Sequence, residues 1–285
     1  MGNEIRTKLR PIVQWNDYKI DPRYFVLTFL SLFAILGQIY LGFFQRWEAV
    51  FISISCTTLT EFVLSRWKKG NWSFPLSGVI TGIGVSLLLS SNVLWIYALT
   101  AIISIALKYI LRFQGANIFN PNNAAMVLVL VLLPQYAVST PKQWTNGIEI
   151  MLMIMILGIL VCYLANRLDT VLTFFGSFTL FAVIRHFMFG VPLFAALGPL
   201  MGAGFQLFAF FMMTDPKSTP TTRKARILFA FLVALMDAVY RIQRVPNSQF
   251  YALFTLSLIF IIPYRYWISR KTSKELDTGV LPIRN

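Results

Sequence analysis

An aspartate at the mouth of an apolar segment is the most chemically suggestive feature of this sequence. Residues 201–213 are nearly all apolar, and Thr214-Asp215-Pro216 then opens a loop rich in hydroxyl and basic side chains. A carboxylate at the end of a membrane helix is costly unless it meets water, a cation or a ligand. The proline stops the helix and leaves backbone carbonyls free to serve a site. We predict that Asp215 serves a ligand or an ion pathway; a solvated loop at the bilayer surface is the alternative.

Four asparagines crowd the loop that opens another apolar segment, within Phe113–Ala125. Asn120 followed by Pro121 predicts a helix start, because asparagine is a favoured N-cap and proline suits the first turn. Capping accounts for one asparagine, whereas unpaired amides are costly in lipid. Amides offer donors and acceptors without charge, which suits a neutral polar ring or a partly desolvated ion. The residues predicted to face such a ligand are Asn117, Asn120, Asn122 and Asn123.

Two further carboxylates lie inside apolar segments. Asp237 has Arg241 four residues later, so we expect a structural ion pair, with an ion pathway as the alternative. Glu61 has no partner evident in the sequence, and we expect it to serve a proton or cation pathway. One histidine and two isolated cysteines do not supply a multi-ligand metal site, so no metal is expected.

The chain that positions these residues has the composition of a membrane protein. Of its 285 residues 57% are hydrophobic, and the mean hydropathy of +0.67 is too high for a soluble domain of this length. Apolar runs of roughly twenty residues recur from end to end, each long enough to cross a bilayer as a helix. We predict an all-α polytopic membrane protein whose transmembrane domain, residues 24–268, contains about ten helices, at 24–44, 48–66, 74–91, 93–112, 122–138, 147–165, 169–187, 192–213, 226–240 and 249–268.

The net charge of +14 follows this predicted topology. With the N-terminus in the cytoplasm, most of the 25 lysines and arginines fall on the cytoplasmic side, as membrane proteins prefer. The end segments, residues 1–23 and 269–285, are then both cytoplasmic. The basicity therefore reflects membrane topology, and we expect the lipid bilayer rather than nucleic acid as the partner. The basic residues outside this pattern are Arg46, Lys142, Arg185, Arg241 and Arg244.

The two halves of the domain, about 24–140 and 147–268, echo each other. The polar breaks at Ser90 and Thr214 are 124 residues apart, and two helix-opening prolines, in Asn120-Pro121 and Val245-Pro246, are 125 apart. Five spans per half is an odd number, so we predict a 5+5 inverted repeat. Such repeats with broken helices carry their site near the bilayer midplane, between the halves. The alternative is that apolar helices of low complexity simply look alike.

Small residues and isolated cysteines are expected to serve packing. Gly78 and Gly82 have the small-xxx-small spacing of close helix pairs, with the close approach of a flat ligand as the alternative. Cys56 and Cys162 lie in apolar segments and are expected to pack as small hydrophobes.

Two of these segments resemble a known family. The stretch GANIFNPNNA resembles the GxxxNxxNPA segment of RnfD and NqrB, and FFMMTDPKSTPTTRKARILFAFLVAL resembles their TDPVxAxxTNxGR segment. Residues 241–246 match their IR…YP stretch, and the resemblance covers roughly residues 75–268. RnfD and NqrB are the ten-helix membrane subunits of the Rnf and sodium-translocating NADH:quinone reductase complexes.

The resemblance implies an inverted-repeat fold related to urea and ammonium channels, with flavin binding and passage of electrons and Na⁺ through a bacterial inner membrane. It also implies a redox partner protein or complex subunits, because this chain has no nicotinamide or iron–sulfur site of its own. The flavin, riboflavin or FMN, is expected to bind non-covalently. The matching positions are Asn117, Asn120, Pro121, Thr214, Asp215, Pro216, Thr222 and Arg226. Of these, the residues expected to bind the flavin are Asn117, Asn120, Pro121, Thr214, Asp215 and Thr222.

The family's covalent flavin motif is degraded in this chain. The family attaches FMN to the threonine of an SGAT-like motif after its fifth helix, whereas the short loop here offers Ser139-Thr140-Pro141, with Ala137 in place of the serine. Thr140 is the position that a covalent FMN would take. Asn247 stands where the family has an acidic residue, which argues against an ion site there. The chain therefore resembles a short, UnbU-like form of the family.

Two functions remain open from the sequence. The first is a membrane-embedded, flavin-binding electron-transport subunit with coupled cation translocation, in which the flavin performs the redox chemistry. The second is a channel or transporter for a small solute or flavin. Loss of the covalent flavin site favours the channel or transporter, whereas retention of both loop motifs favours the electron-transport subunit. The fold does not choose between them, since one fold can serve several functions.

Overall fold

Most of the described chain is helical. The computed structural model describes residues 22–40, 47–70, 74–113, 115–139 and 148–277. Thr140, residues 1–21 of the predicted N-terminal segment and residues 278–285 of the tail lie outside them. The helices are α1 (Pro22–Tyr40), α2 (Trp47–Lys69), α3 (Leu76–Leu88), α4 (Leu94–Ile110), α5 (Pro121–Leu132), α6 (Ile148–Leu164), α7 (Leu168–Phe189), α8 (Leu193–Leu197), α9 (Ala203–Leu207), α10 (Arg223–Ile242), α11 (Ser248–Leu256) and α12 (Ile262–Asp277).

Short strands and wider helical turns complete the described architecture. The 3₁₀ turn Gly198–Met201 joins α8 to α9, and π-helical turns extend α9 (Phe208–Met212) and connect α11 to α12 (Ser257–Ile261). Two antiparallel strand pairs join loops. β1 (Leu89–Ser90) pairs with β4 (Val138–Ser139), and β2 (Arg112–Phe113) pairs with β3 (Ala116–Asn117).

Among the described residues, three helical stretches are long and apolar enough to cross a membrane. They are Trp47–Lys68, Leu168–Phe189 and Ser248–Arg270, and the bent pair Leu193–Met201 and Ala203–Met212 makes a fourth if it counts as one span. The described residues also form shorter apolar helices, at Tyr24–Ile35, Leu76–Leu88, Leu94–Ile110, Pro121–Leu132 and Met151–Leu164. The fold is therefore that of an all-α membrane protein, whereas the ten-helix inverted repeat stays a prediction.

The predicted span 192–213 is a broken helix pair, Leu193–Met201 and Ala203–Met212, bent by 60°. The backbone of Gly202 is extended (φ −86°, ψ 124°), and its N–H donates to the Pro199 carbonyl at 2.9 Å. Proline lacks an N–H, and a turn built on it interrupts the helical ladder. Gln206 Nε2 donates to the Leu200 carbonyl at 2.9 Å and satisfies one acceptor at the break. The bend opens space beside α8 and α9.

The predicted start of the asparagine-rich helix is confirmed. Asn120 is the N-cap of α5, and its Oδ1 accepts hydrogen bonds from the backbone N–H groups of Asn122 (3.1 Å) and Asn123 (3.2 Å). Pro121 occupies the first turn, where its missing N–H costs nothing. The helix ends at Leu132, earlier than the predicted end of that span at residue 138. The asparagine-rich loop is therefore anchored directly to a helix.

Packing through glycine joins α2 to α3, as predicted for the small-residue face. A Cβ added to Gly82 would lie 2.6 Å from Ile54 Cα, and one added to Gly78 would lie 3.2 Å from the Thr57 carbonyl oxygen. Such separations leave room for hydrogen but not for a methyl group. The two helices therefore pack backbone to backbone at these positions.

A phenylalanine-rich core holds the second half of the chain together. Phe174, Phe178, Phe205, Phe208 and Phe250 are each at most 4% exposed. Their rings contact one another at centroid distances of 4.6 to 5.7 Å, in tilted, stacked and edge-to-face arrangements. Aromatic pairs in these geometries stabilise a core beyond the area that they bury. This core supports the helices that line the larger cavity described below.

Candidate functional site

The structure brings the two predicted motif loops together at one small pocket. This loop pocket has a volume of about 120 Å³, and Arg265 crosses beside it, donating from Nη1 to the Phe113 carbonyl (3.4 Å) and from Nη2 to the Lys217 carbonyl (2.8 Å). The Thr222 N–H donates to the hydroxyl of Tyr264 at 3.3 Å, just before α10 begins. Residues that line the pocket are Ala116, Pro216, Lys217, Thr219, Thr221, Tyr264, Arg265 and Ile268.

The Asp215 carboxylate organises its own turn. Oδ1 accepts from the Lys217 N–H at 3.0 Å, and Oδ2 accepts from the Ser218 hydroxyl at 2.7 Å. The backbone carbonyl of Asp215 also accepts from the Thr219 hydroxyl, while the Thr214 hydroxyl donates back to the Phe210 carbonyl. Asp215 is half-buried beside the loop pocket. These hydrogen bonds give the carboxylate a structural role. That Asp215 also binds a ligand or lies on an ion pathway stays a prediction.

A buried ion pair holds the same loop from the other side. Arg226, a position of the family motif, donates to Asp169 from both Nε and Nη2, the latter at 2.6 Å, and its Nη1 donates to the Thr221 carbonyl at 2.9 Å. Arg167 donates to the Thr219 hydroxyl at 3.2 Å. Burial, together with the nearby Arg226 cation, lowers the pKa of the Arg167 guanidinium from its ordinary value. The basic residues therefore clamp the loop to α7 and α10.

The asparagines divide between protein contacts and two unsatisfied atoms, Asn117 Oδ1 and Asn123 Oδ1. Asn122 accepts from the Ser104 hydroxyl at 2.8 Å, and Asn123 Nδ2 donates to the Phe250 carbonyl at 3.1 Å. With the capping role of Asn120, these bonds give three of the four asparagines a contact within the fold, although Asn123 Oδ1 is buried without a partner. Asn117 is 4% exposed and its Oδ1 has no hydrogen-bond partner. A buried polar atom of this kind is costly, so Asn117 keeps the strongest case for a ligand contact.

The expectation that Glu61 lacks a partner is wrong. Lys108, 47 residues away on α4, donates from Nζ to Glu61 Oε1, and the Ser77 hydroxyl donates to the same oxygen at 2.6 Å. Glu61 Oε2 is buried without a partner. The salt bridge gives this carboxylate a structural explanation, and its role in an ion pathway stays a prediction.

A larger cavity lies between residues from both halves of the chain. Its volume is about 410 Å³, within the range of small-molecule and cofactor sites. The aromatic rings of Phe205 and Phe250 line it beside three glycines, and Ser139 contributes a hydroxyl that is hydrogen-bonded to Asn247 Oδ1. The bend between α8 and α9 borders this space. The lining residues are Leu88, Ser139, Ala195, Gly198, Pro199, Gly202, Gly204, Phe205, Arg241, Asn247, Gln249 and Phe250.

The predicted ion pair between Asp237 and Arg241 is confirmed, and it borders the larger cavity. Arg241 Nε donates to Asp237 Oδ2 at 2.7 Å, and Arg241 Nη2 donates to Gln249 Oε1 at 3.2 Å. Asp237 is completely buried, and its Oδ1 accepts from the Ser248 hydroxyl at 2.6 Å. The pair fixes Arg241 in the cavity wall. The role of Asp237 in an ion pathway stays a prediction.

Several cavity residues were missed by reasoning from the sequence. The repeated glycines of Gly198–Gly204 were a usable signal, since they permit close approach of a ligand or a backbone. Arg185, a charge inside α7 that does not line the cavity but donates to the Ala196 carbonyl near it, gave another signal. The predicted positions Asn117, Asn120, Thr214, Asp215 and Thr222 are not among the cavity's lining residues.

Cys162 is buried and Cys56 is half-buried in apolar surroundings, as expected for packing residues. Among the described residues, no group of histidine, cysteine and carboxylate side chains could hold a metal ion.

The apolar helices define the class of protein: an integral membrane protein of the all-α type. Residues 146–261 match the model of the NQR2, RnfD, RnfE family, so over this part the chain is similar to that family. The resemblance predicted from its motifs is thereby confirmed. The family is one of membrane subunits of electron-transport complexes, whose members act with partner subunits. A search of curated proteins found no match to the chain.

Proposed function

We propose that this protein is a membrane-embedded, flavin-binding electron-transport subunit and that the flavin ring occupies the larger cavity. The observation that carries the proposal is the cavity's combination of volume and lining. Phe205 and Phe250 offer apolar faces for a planar ring, and Asn247 and Gln249 offer hydrogen-bonding groups for its polar edge. A bound flavin would supply electron transfer between a donor and an acceptor.

The glycines of the cavity support the fit of a flat ring. A Cβ added at Gly198 would meet no heavy atom within 4 Å, so this part of the wall faces open space. Gly202 and Gly204 likewise bring backbone rather than side chains to the cavity surface. By contrast, the loop pocket of about 120 Å³ is smaller than ligand sites usually are. The residues predicted around Asn117 and Asp215 are therefore proposed to serve the ion pathway or a small polar group.

Electron transport requires partners in this proposal. A redox protein or further subunits of a complex supply electrons to the flavin, in a bacterial inner membrane with both ends of the chain in the cytoplasm. The cation coupled to this transfer would pass the carboxylates predicted for a pathway, Asp215, Glu61 and Asp237. FMN or riboflavin is held non-covalently; attachment at Thr140, next to the cavity residue Ser139, is the covalent alternative.

The test is the flavin content of the protein purified in mild detergent. Absorbance and fluorescence are measured before and after acid precipitation. We expect flavin near one equivalent per chain to appear in the acid supernatant. Flavin that stays in the protein pellet would indicate a covalent link and point to Thr140. Well-folded protein without flavin in either fraction contradicts the proposal.

A matched pair of variants localises the flavin. Gly198→Leu places a side chain in the open space of the cavity wall, and we expect flavin content to fall at least about tenfold, because a filled pocket excludes its ligand. Gly176→Leu is the control, since Gly176 lies on the exposed face of α7 and also has open space around its Cα. Equal flavin content in the two variants would show that the flavin ring does not occupy this cavity.

A second candidate function is a channel or transporter for a small solute or flavin. The 60° break between α8 and α9 favours it, because broken helices line the substrate sites of many transporters. Its test is uptake of labelled riboflavin into proteoliposomes without any redox partner. Uptake that Gly198→Leu blocks, in protein that carries no bound flavin after purification, would support transport over electron transfer.

A further inference from the structure

Two cations, Arg185 and Arg241, lie near one phenylalanine ring beside the larger cavity. The Arg185 guanidinium lies 5.8 Å from the ring centroid of Phe178, and the Arg241 guanidinium lies 5.2 Å from the same centroid. Arg185 is 6% exposed and donates from Nη2 to the Ala196 carbonyl at 3.2 Å. Arg241 itself lines the cavity. Both positive charges therefore lie close to one aromatic ring, and Arg241 carries one of them into the cavity wall.

The charge of this cluster does not balance among the described residues. Asp237 is the carboxylate that offsets both arginines, and its two oxygens are already taken by Arg241 and Ser248. Two cations against one anion leave one positive charge in excess. A buried charge without a counter-charge is destabilising, and more so inside a membrane span such as α7. The cluster thus lacks one anion.

Unsatisfied donors point to the same conclusion. Arg185 Nε is buried and has no hydrogen-bond partner. Arg241 uses Nε for Asp237 and Nη2 for Gln249, and its Nη1 has no partner among the described residues. A guanidinium presents its N–H groups in a planar fork that suits the oxygens of a phosphate or a carboxylate. The free donors are therefore of the right kind for an oxyanion.

We propose that the larger cavity binds the anionic group of its ligand, a phosphate or a carboxylate, with Arg241 making the contact and Arg185 supplying the second charge. For a flavin this group is the phosphate of FMN, so the site selects FMN over riboflavin. That selectivity rests on the proposed flavin function, whereas anion binding by the two arginines does not. The wall formed by Phe205 and Phe250 remains available to the ring.

The experiment compares FMN with riboflavin on the full chain in detergent after removal of bound flavin. Quenching of flavin fluorescence gives the two Kd values for wild type, for Arg185→Gln and for Lys217→Gln. We expect wild type to bind FMN about tenfold more tightly than riboflavin, the size of one charge-assisted contact. Arg185→Gln should abolish this preference and leave the riboflavin Kd unchanged. Lys217→Gln removes the same charge at the loop pocket and should keep the preference.

A second readout makes the anion site testable without flavin. The unfolding temperature of the protein is measured in inorganic phosphate and in chloride at equal ionic strength. We expect phosphate to raise the unfolding temperature of wild type and of Lys217→Gln but not that of Arg185→Gln. If Arg185→Gln does not fold, Arg185→Lys takes its place; it keeps the charge without the fork, and a weaker phosphate effect is expected.

The outcomes separate the two proposals. Equal binding of FMN and riboflavin to wild type, with no stabilisation by phosphate, overturns the anion site and leaves flavin binding standing. Stabilisation by phosphate that depends on Arg185, in protein that binds neither flavin, supports the anion site and overturns the flavin function. Absence of both effects overturns both proposals.

Discussion

Asn123 on α5 donates from Nδ2 to the backbone carbonyl of Phe250 on α11, at 3.1 Å and across 127 residues of sequence. Asn123 is buried, and Phe250 lines the larger cavity. Phe119 and Phe254 stack beside this bond with ring centroids 4.7 Å apart. A wall of the cavity is therefore tied to the asparagine-rich loop, although the asparagines themselves do not line it.

Replacing Asn123 tests whether its hydrogen bond to Phe250 holds the cavity wall in place. Asn123→Leu keeps a similar volume and removes the donor, so we expect the free energy of unfolding to fall by about 1 to 2 kcal/mol, the net contribution of one buried hydrogen bond. Flavin content should fall as well, because Phe250 loses its anchor. Thermal unfolding and the acid-supernatant assay measure both effects. Asn92→Leu at an exposed position is the control, and equal losses in the two variants would contradict a specific role for Asn123.

The ion pair between Arg226 and Asp169 gives a second prediction. Both side chains are 10% exposed, and Arg226→Gln leaves the carboxylate buried without its cation. We expect a loss of about 3 to 5 kcal/mol, since breaking one side of a buried pair strands a charge. The double variant with Asp169→Asn should recover much of this loss, because the stranded charge is gone. A double variant as unstable as Arg226→Gln would show that the guanidinium acts through its bond to the Thr221 carbonyl instead.

Close packing of α2 against α3 predicts different costs for the same change at two glycines. At Gly82 an added methyl group would lie 2.5 Å from Thr57 Oγ1, whereas at Gly176 nothing lies within 4 Å. We expect Gly82→Ala to lower the unfolding free energy by about 1 to 3 kcal/mol through overpacking. Gly176→Ala should stabilise the protein by up to about 1 kcal/mol through helix propensity. Thermal unfolding of the two variants decides, and a stabilised Gly82→Ala would refute the close contact.

The predicted ion pathway through Asp215 is tested by Asp215→Asn. The amide oxygen can still accept from the Lys217 N–H, so we expect the fold and the unfolding temperature to change little. Loss of the negative charge should abolish cation-coupled activity in proteoliposomes that contain the redox partner. Ser218→Ala, which removes a hydrogen bond to the same carboxylate but keeps its charge, is the control. Unchanged cation coupling in Asp215→Asn would show that Asp215 only stabilises its own turn and takes no part in an ion pathway.

Local patterns proved the most readable part of the sequence. The cap formed by Asn120 with Pro121 and the pair of Asp237 with Arg241 each lie within one turn of helix, where spacing alone sets the geometry. The partner of Glu61 could not be read in this way. Lys108 lies on another helix, and only the packing of α2 against α4 brings the two side chains together.

The sequence by itself determined that this is an all-α membrane protein, because apolar runs of this length leave few other ways to satisfy the backbone in lipid. It also placed the family's motif in the second half of the chain. The tertiary structure alone decided where a ligand can lie, because the cavity comes from the bend between α8 and α9 and from residues far apart in sequence. It likewise placed Arg185 and Arg241 over one phenylalanine ring, since helix packing, and not spacing along the chain, sets distances between charges on different helices.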